Sequence, residues 1–530
     1  MKNIEDFFQS LSTRKEFLNS SLALAALSVL SDLPGCSTLS NIDHLNIDYS
    51  KDILLTNGKF IDVKSGKVSK NSSLLISKGK IKDLSNKSDH YNSRIDTFDL
   101  NNKYVIPGLI NAHCHTTLTG TLLFNPFDFM SHVRQIGRNY VQLIESGITT
   151  VRDMGALPKI LHRYISKIEN GSMVGPRIVH CNAILNIKGG HPDINPTDIS
   201  IFAAPTTVFT GDIATQFSST KDLRNKLESN TENGASFIKL TVDNQSLICG
   251  NGPIPVYTDE HLKIIFNFAE KRNLPVAAHN HFKYGFDRIM KYPVNSLEHL
   301  VFDTVLSDGD IKKLQQKKAS IVPTCVVASC LAFDEVYDTL PPQFNTDFIK
   351  TEMRIKKEYL KTLASRYCEK AIHGYNMESI KHYKHMNCAS LVKDKKFIPD
   401  PILYFGMLKD GMENIRKMRE AGILIGCGTD AGIPFDYFGS LWYEMEMMHR
   451  VGFSKEEVLR CATINNAKII GMGDKIGSLE KGKFADISIF NENPLTNIKA
   501  YREPFLVFKD GKLLYSNKPL LRQGNRLNFT

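Results

Sequence analysis

Long apolar runs are scarce in this 530-residue sequence. The apolar stretch near its start, Leu22–Leu30, falls well short of the ~20 residues that a membrane-spanning helix requires, which excludes a stable transmembrane helix there. Cysteine is also sparse, with ten residues in the whole chain. So few cysteines in a chain of this length do not indicate a disulfide framework. Several of these cysteines lie in apolar strand-like runs, where a small buried thiol is the default.

Charge of one sign is not concentrated anywhere in the chain. Lys and Arg number 66 against 56 Asp and Glu, and the net charge of +10 is spread over Lys-rich loops and helix faces. No RNA- or DNA-binding motif is present, so nucleic acid is excluded as a partner. The 42% hydrophobic and 23% charged residues are ordinary for a soluble globular protein, and the length accommodates one large domain plus a smaller one.

The first 36 residues are predicted to be an export signal rather than part of the fold. Thr13–Leu18 (TRKEFL) resembles a bacterial twin-arginine signal in which Lys15 replaces the second arginine. Leu33–Cys36 (LPGC) resembles a lipoprotein cleavage box, which implies a lipid anchor on Cys36. We expect an exported bacterial protein, periplasmic or lipid-anchored. The alternative is an amphipathic N-terminal helix on a cytoplasmic protein.

Both ends of the remaining chain have the rhythm of short strands and tight turns. Residues 51–104 carry a turn signal at Asn57-Gly58, and residues 475–530 carry another at Asp510-Gly511. We predict that these two segments form one small β-sandwich domain beside the larger domain between them.

Residues 105–474 alternate apolar strand-like runs with amphipathic helical patterns. The segment Thr258–Asn273 illustrates a helix, with a capping threonine, acidic residues in its first turn and one apolar stripe. Eight β/α units predict a (β/α)8 TIM barrel, whose chemistry lies at the C-terminal ends of its strands. The predicted strands are Val105–Ile110, Ile148–Arg152, Ile178–Ile184, Ser236–Val242, Pro275–His279, Val294–His299, Ser320–Thr324 and Ile423–Asp430.

The first of these strands leads into a His-x-His pair. In VIPGLINAHCH the apolar run ends in His113 and His115, which are two residues apart. Residues i and i+2 of a strand face the same side, so both neutral imidazoles are predicted to bind one metal ion. Taken alone, the pair also fits two hydrogen-bonded histidines at a strand end.

Four further strands end in polar side chains that suit a metal site. Since the strands of a barrel end at one face, these side chains are expected to converge there. Imidazoles and a carboxylate are ligands for a borderline divalent cation. Each residue alone has a simpler explanation, as a core histidine, a helix cap or a lysine that reaches water. The side chains are Lys239 (strand 4), His279 and His281 (strand 5), His299 (strand 6) and Asp430 (strand 8).

Lys239 determines the predicted number of cations. An ammonium group repels a cation, and an unperturbed lysine has a pKa of about 10.4. As a neutral amine that has reacted with CO2, Lys239 would be a carbamate whose two oxygens bridge two ions. The alternative is an unmodified Lys239 paired with a carboxylate beside a single-metal site. In the two-metal arrangement the first ion is held by His113, His115 and Asp430, and the second by His279 and His299.

These motifs, in this order, resemble the amidohydrolase superfamily of metal-dependent hydrolases, over nearly the whole chain after about residue 50. Gly175–Ile178 (GPRI) followed by Gly189–His191 (GGH) resembles its imidazolonepropionase-like and Xaa-Pro-dipeptidase-like members. Imidazolonepropionase uses one metal and lacks the strand-4 lysine, so Lys239 favours the two-metal, dipeptidase-like branch. The matching motifs are PGLINAHCH, GITTVRDMG, GASFIKL, AAHNH, SLEH, GTDAG and GSLEKGKFADISIF.

The resemblance implies hydrolysis of an amide-type C–N bond, in a dipeptide or an N-acyl amino acid, by metal-activated water. Two divalent ions are expected, Zn²⁺ in the first place, with Co²⁺ and Mn²⁺ as alternatives. Asp430 is predicted to take the proton of this water and deliver it to the leaving nitrogen. His281 is predicted to stabilise the developing oxyanion, and His191 to contact the substrate.

Other functions stay open at this point. The same barrel supports a single-metal deaminase or imidazolone-ring hydrolase, and a two-metal site also suits an esterase, a lactonase or a phosphotriesterase. A non-catalytic scaffold is disfavoured because the chain has the full set of ligands. The expected partner is a small-molecule substrate, and the sequence leaves open whether the chain forms a homo-oligomer.

The segment Leu331–Pro401, between predicted strands 7 and 8, greatly exceeds an ordinary connection. It is rich in Lys and Tyr and has helical patterns. We predict an insertion that forms a lid over the strand ends. The alternative is a helical excursion on the outside of the barrel.

Overall fold

The structure of the protein is a computed structural model. It describes residues 45, 47–70, 72–85, 95–120, 129–192, 212–247, 253–336, 339–383 and 401–529. The predicted export signal, residues 1–36 with Cys36, lies outside the described residues. Within the described ranges, no helix is both long and apolar enough to cross a bilayer.

Strands from both ends of the chain form one sheet system, as predicted for the small β domain. The strands are β1 (Ile53–Phe60), β2 (Ser72–Ser77), β3 (Lys80–Ser85), β4 (Asp96–Asp99), β5 (Tyr104–Pro107), β15 (Ile487–Phe490), β16 (Pro504–Lys509), β17 (Lys512–Ser516), β18 (Leu520–Gln523) and β19 (Arg526–Phe529). Their order is β17-β16-β15-β5-β1-β4-β19-β18, and β2 and β3 extend from β1. The two chain ends share one core, in which Leu55, Phe98, Ile487 and Phe508 are buried.

Of the two turns predicted for this domain, one joins two strands and the other lies within a single strand. Asp510-Gly511 is the turn between β16 and β17, with φ of 49° and 73°. In contrast, β1 runs straight through Asn57-Gly58, where the pairing with β2 shifts register. The prediction of a turn between two strands is therefore wrong there. Asn57 has a φ of 54°, and the pair forms a bulge because the flanking residues stay paired in the sheet.

The central part of the chain forms a barrel of parallel strands, which confirms the predicted TIM-barrel class. Its strands are β6 (Leu109–Cys114), β7 (Ile148–Asp153), β8 (Arg177–His180), β9 (Ile184–Ile187), β10 (Ala214–Phe217), β11 (Ile238–Thr241), β12 (Val276–His279), β13 (Ser296–Glu298) and β14 (Ser320–Val322). They pair as β6-β7-β8 and as β10-β9-β11-β12-β13-β14. The predicted third strand, Ile178–Ile184, is divided between β8 and β9.

The predicted eighth strand, Ile423–Asp430, closes the barrel without forming a regular strand within the described residues. Ile425 makes a single parallel bridge to Ile321 on β14. On the other side, Asp430 N donates to His113 O at 2.8 Å. This glycine-rich segment approaches β6 very closely, since a Cβ on Gly428 would lie 2.8 Å from His113 Cβ.

The run Val105–Ile110, predicted as one barrel strand, is two strands. β5 pairs with β15 in the small domain, whereas β6 pairs with β7 in the barrel. The break falls at Pro107-Gly108, because proline cannot donate to a sheet and Gly108 passes so close to Thr149 that a Cβ would overlap its side chain. The prediction of a single strand is wrong, and this peptide is where the chain passes from one domain to the other.

The helices cover the outside of the barrel and the insertion. They are α1 (Phe129–Glu145), α2 (Pro158–Glu169), α3 (Thr220–Glu232), α4 (Asp259–Arg272), α5 (Lys283–Ile289), α6 (Asp308–Lys317), α7 (Cys325–Leu331), α8 (Asp347–Thr362), α9 (Ala364–Tyr367), α10 (Lys370–Tyr383), α11 (Pro401–Gly406), α12 (Met412–Glu420), α13 (Leu441–Val451), α14 (Lys455–Arg460) and α15 (Asn466–Ile469). Thr258 caps α4 as predicted, and accepts a hydrogen bond from His261 N at 3.1 Å. The insertion contributes α8 to α10, while its residues 337–338 and 384–400 lie outside the described ranges.

One partly buried arginine joins the barrel to the small domain. Arg177, at the start of β8, forms ion pairs with Asp486 and Asp510. Its guanidinium also lies 4.6 Å from the ring centre of Phe484. These contacts hold the N-terminal end of the barrel against the small domain, on the opposite side from the strand ends that carry the predicted site.

Candidate metal centre

His113 and His115 lie on the same side of the end of β6, as the period of a strand requires. Both Nε2 atoms are 3.1 Å from Oδ1 of Asp430. Burial raises the pKa of Asp430, but the two adjacent imidazoles outweigh it and hold that pKa well below its usual range. Asp430 is therefore an anion between two nitrogen ligands.

Three further histidines form a second group beside the first. The ring centres of His279, His281 and His299 are 4.5 to 4.7 Å apart. One ligand atom from each can be chosen so that all three lie within 4.8 Å of one another. The same holds for His113, His299 and Asp430. His299 belongs to both groups, so the two groups are adjacent.

Lys239 lies on β11, beside Ala277 of β12, and is 2% exposed. Among the described residues, its Nζ has no hydrogen-bond partner. Burial lowers its pKa from 10.5 to about 8, although Glu298 and Asp430 oppose this effect. The neutral amine, which is the form that reacts with CO2, is therefore more populated near neutral pH than it is in an exposed lysine.

Four of the five imidazoles in these two groups are held by a contact on one nitrogen, which leaves the other nitrogen for the centre of the site. His113 Nδ1 lies 2.9 Å from Oε2 of Glu298, and His115 Nδ1 lies 2.7 Å from the carbonyl of Gly155. The other two contacts are His299 Nδ1 to Thr324 Oγ1 at 2.7 Å and His281 Nδ1 to Leu300 O at 3.3 Å. Acceptors at Nδ1 favour the tautomer whose Nε2 carries the lone pair.

The second group of histidines is neutral. Burial lowers the pKa of His281 to about 3, with a further contribution from His191. It also holds the pKa values of His279 and His299 well below the usual range, and the neighbouring imidazoles add to the effect. Neutral imidazole is the ligand form of histidine, so no proton has to be removed before a cation binds.

Buried polar atoms without hydrogen-bond partners show that these residues fit a metal ion. His113 Nε2, Lys239 Nζ and Asp430 Oδ1 are buried and lack hydrogen-bond partners in the part of the chain that the structure describes. An unsatisfied buried polar atom costs about 1–3 kcal/mol. Three such atoms, of which Lys239 Nζ and Asp430 Oδ1 belong to side chains whose charges interact, are therefore costly for the protein alone, and a bound cation would satisfy them. Nitrogen and oxygen donors in this number suit a borderline divalent ion.

Backbone strain is concentrated at the same strand ends. His299, Thr324 and Asp430 have φ values of 72°, 46° and 69°, in the left-handed region that side chains other than glycine rarely adopt. Such conformations cost of order 1–3 kcal/mol each and occur preferentially at functional sites. At this site the strained conformations orient His299, Thr324, which contacts His299, and the carboxylate of Asp430.

His191 lies at the edge of the centre. Its ring is 4.8 Å from that of His279, and its Nδ1 is 3.4 Å from Oγ of Ser246. The structure thus brings together all eight predicted site residues. Lys283, two residues beyond His281, pairs with Asp287 and Asp310.

Sequence reasoning missed three buried charged residues that support the ligands. Glu298 accepts from Arg152 and contacts His113. Asp243 accepts from the backbone N–H of His281 at 2.7 Å and that of Phe282 at 3.2 Å. Burial raises the pKa of Asp243 to about 7. The available signal was a charged residue inside or directly after an apolar strand, in VRD, LTVD and SLEH.

Comparison with known proteins agrees with the family resemblance of the sequence motifs. Residues 104–514 match the model of the amidohydrolase family. The chain is 23% identical to an ochratoxinase of Aspergillus niger over 439 residues, which cover 77% of this chain and 75% of that protein. It is 31% identical to an imidazolonepropionase of Thermoplasma volcanium over 136 residues, 25% of this chain and 33% of the relative.

Solved structures share the fold. A crystal structure of a Xaa-Pro dipeptidase with methionine bound in its active site is similar with a TM-score of 0.65 and 23% identity, over 88% of this chain and 100% of that one. The crystal structure of A. niger ochratoxinase is similar with a TM-score of 0.61 and 20% identity, over 88% and 96%.

Proposed function

The chain belongs to the amidohydrolase family, and we propose that it is a metal-dependent hydrolase that cleaves an amide-type C–N bond of a small-molecule substrate. The carrying observation is that His113 Nε2, Lys239 Nζ and Asp430 Oδ1 are buried polar atoms without hydrogen-bond partners among the described residues. Such atoms are suited to shared cations and not to one another.

We propose two divalent cations, with Zn²⁺ as the expected ion and Co²⁺ or Mn²⁺ as alternatives. His113, His115 and Asp430 would hold the first, and His279 and His299 the second. Lys239 would bridge them as a carbamate. In forming it, the neutral amine bonds to the carbon of CO2 and releases one proton. The buried, unpartnered Nζ and its lowered pKa support this proposal.

When bound, such a pair of ions would supply Lewis acidity and lower the pKa of a water from about 15.7 towards ~7. In this proposal Asp430 takes the proton of the attacking water and transfers it to the leaving nitrogen. Its carboxylate is anionic and 8% exposed. The Nε2 atoms of His115 and His113 lie 3.1 Å from its Oδ1.

His281 and His191 are proposed to contact the substrate. The oxyanion role first expected for His281 requires a proton on Nε2, whereas the Leu300 carbonyl at 3.3 Å favours the proton on Nδ1. We therefore propose that His281 accepts a hydrogen bond from substrate through Nε2. His191 is half-buried and its ring lies 4.8 Å from that of His279, which supports a contact with the part of the substrate nearer the solvent.

We propose a dipeptide or an N-acyl amino acid as the substrate class. Two proteins similar to this chain are named for related activities, a Xaa-Pro dipeptidase and an ochratoxinase. The strand-4 lysine supports this two-metal chemistry over a single-metal deaminase or ring hydrolase.

The insertion is proposed to act as a lid. Asn376, on α10, donates to the carbonyl of Gly120 at 2.6 Å and to the hydroxyl of Tyr437 at 3.0 Å. Gly120 follows the His113 strand, and Tyr437 follows Asp430. The insertion thus contacts two loops at the catalytic end of the barrel, where it would restrict the size of the substrate.

The test is a screen of dipeptides, N-acyl amino acids, esters and phosphotriesters with the zinc-loaded protein, with Asp430→Asn as the matched control. We expect hydrolysis of one of the first two classes by the wild type and a large loss in the control. Hydrolysis of esters or phosphotriesters alone would contradict the proposed bond type.

Export is proposed separately from the activity, on the sequence of residues 1–36 alone. Mass spectrometry of the mature protein should find its N-terminus beyond this segment, with a lipid if Cys36 is the new first residue. An intact Met1 on protein recovered from its natural host would contradict export.

A further inference from the structure

A buried ion pair occupies the inside of the barrel, directly below the metal centre. TIM-barrel interiors are normally filled by branched apolar side chains. Here Arg152 of β7 and Glu298 of β13 are 1% and 0% exposed, and Arg152 Nη1 lies 3.0 Å from Glu298 Oε1. A buried pair of this kind is weak support for stability, because the desolvation cost offsets much of the attraction. Its presence calls for another role.

Glu298 connects this pair to one ligand of the centre. Its Oε1 also accepts from the Ser296 hydroxyl at 2.6 Å, while Oε2 lies 2.9 Å from His113 Nδ1. The carboxylate thus requires a proton on Nδ1 of His113 and leaves the lone pair of Nε2 facing Asp430. The guanidinium of Arg152 in turn fixes the carboxylate, and it rests on the ring of Phe237 at 4.2 Å.

The other imidazoles lack a support of this kind in the described structure. The carbonyl of Gly155 contacts His115, and the hydroxyl of Thr324 contacts His299. His279 has a carboxylate nearby, but Oδ2 of Asp243 is 3.7 Å from its Nε2, beyond hydrogen-bond distance. His113 is therefore the ligand with a charged hydrogen-bond acceptor, and it belongs to the first of the two proposed cations.

We propose that Arg152 and Glu298 are positioning residues that orient His113 and raise the affinity of the first cation over that of the second. The proposal rests on the metal centre of the proposed function. A carboxylate on the remote nitrogen fixes the rotation of the ring and makes the coordinating nitrogen a better donor. Loss of such a partner typically weakens metal binding by about 10–100-fold. That loss should fall on the first cation.

The experiment is a stepwise titration of the metal-free protein with Co²⁺, followed by absorption spectroscopy, and with Zn²⁺ in competition with a chelator. Wild type, Glu298→Gln, Arg152→Met and Arg152→Lys are compared. Arg177→Met is the control, since it removes a partly buried arginine that pairs with two carboxylates away from the centre.

We expect the wild type to bind one ion more tightly than the other. Glu298→Gln and Arg152→Met should weaken the tight ion by about 10–100-fold and alter its Co²⁺ absorption bands. Arg152→Lys should recover part of the affinity, and Arg177→Met should change neither affinity nor bands.

If Arg152→Met does not fold, Glu298→Gln provides the test, because glutamine keeps the shape of the glutamate side chain and one hydrogen-bond acceptor. A wild type without cations would refute the proposed function. A wild type with two ions, together with unchanged affinity and bands in Glu298→Gln, would overturn this inference alone.

Discussion

Replacing Lys239 with methionine is expected to stabilise the metal-free protein. The amine is buried, and no described residue offers it a hydrogen bond. Burial lowers its pKa from 10.5 to about 8, a difference that corresponds to ~3 kcal/mol at 1.36 kcal/mol per pKa unit. Below pH 8 the folded protein bears the whole cost of the buried ammonium. Between pH 8 and 10.5 the unfolded chain binds the proton that the folded protein lacks, so the stability of the wild type rises with pH and the advantage of methionine disappears.

Zinc and bicarbonate should remove this advantage at pH 7. Methionine cannot form a carbamate, so the variant should lose the second cation. A ligand at 100 times its dissociation constant stabilises the native state by about 2.7 kcal/mol. Zinc should therefore stabilise Lys239→Met by roughly 3 kcal/mol less than it stabilises the wild type, which about cancels the gain in the metal-free state.

The assay is denaturant unfolding at pH 7, with a chelator and with excess zinc plus bicarbonate. Lys356→Met is the matched control, because Lys356 is also 2% exposed, its pKa is lowered by burial to about 8, and it lies outside the metal centre. Zinc should stabilise this control as much as the wild type. An equal zinc effect in Lys239→Met would refute Lys239 as a ligand, and an unstabilised metal-free variant would refute the reasoning from the buried charge.

Further substitutions test other parts of the site and fold. Asp430→Asn should keep bound zinc but lower kcat by about 10²–10⁴-fold, and near-normal turnover would remove Asp430 as the proton carrier. Gly428→Ala places a Cβ 2.8 Å from His113 Cβ, so zinc binding in a chelator competition should weaken by at least about 10-fold, and unchanged affinity would mean that His113 tolerates the shift. Burial raises the pKa of Glu444 from 4.5 to about 8. Between these two pH values the folded state retains a proton that the unfolded chain releases. The stability of the wild type should therefore fall as pH rises from 4.5 to 8, by on the order of a few kcal/mol. In urea unfolding at pH 5.5 and 8, Glu444→Gln should lose that fall, and an equal fall in both proteins would contradict the buried neutral acid.

The convergence of the proposed metal ligands could be predicted from the sequence, because barrel topology determines where strands end. Once His113 and Asp430 are assigned to the ends of their strands, the parallel closure of the barrel brings them together without any knowledge of side-chain packing. The helix after Thr258 was equally accessible, because its cap and apolar stripe are local signals.

The supporting residues could not be predicted, because they depend on contacts across the barrel. Arg152 and Glu298 are 146 positions apart, and nothing local shows that their side chains meet. Glu298 stands next to His299 in the sequence, yet it supports His113 on the opposite strand. Only the three-dimensional arrangement of β6, β7 and β13 shows that Glu298 contacts both His113 and Arg152.

The errors in the fold have a similar origin. Asn57-Gly58 is a strong local turn signal, but pairing of β1 with neighbours on both sides keeps the strand continuous. Pro107-Gly108 carried the opposite signal, a break inside an apolar run, and the break is real. Tertiary pairing decides both cases, and it is not visible in a window of a few residues.

The most direct test of the account is the metal content of the wild-type protein after zinc loading in bicarbonate buffer and removal of free metal. Elemental analysis should find about two zinc ions per chain, and about one in Lys239→Met. No bound metal, or a single ion in both proteins, would contradict a centre built on two cations and a carbamate.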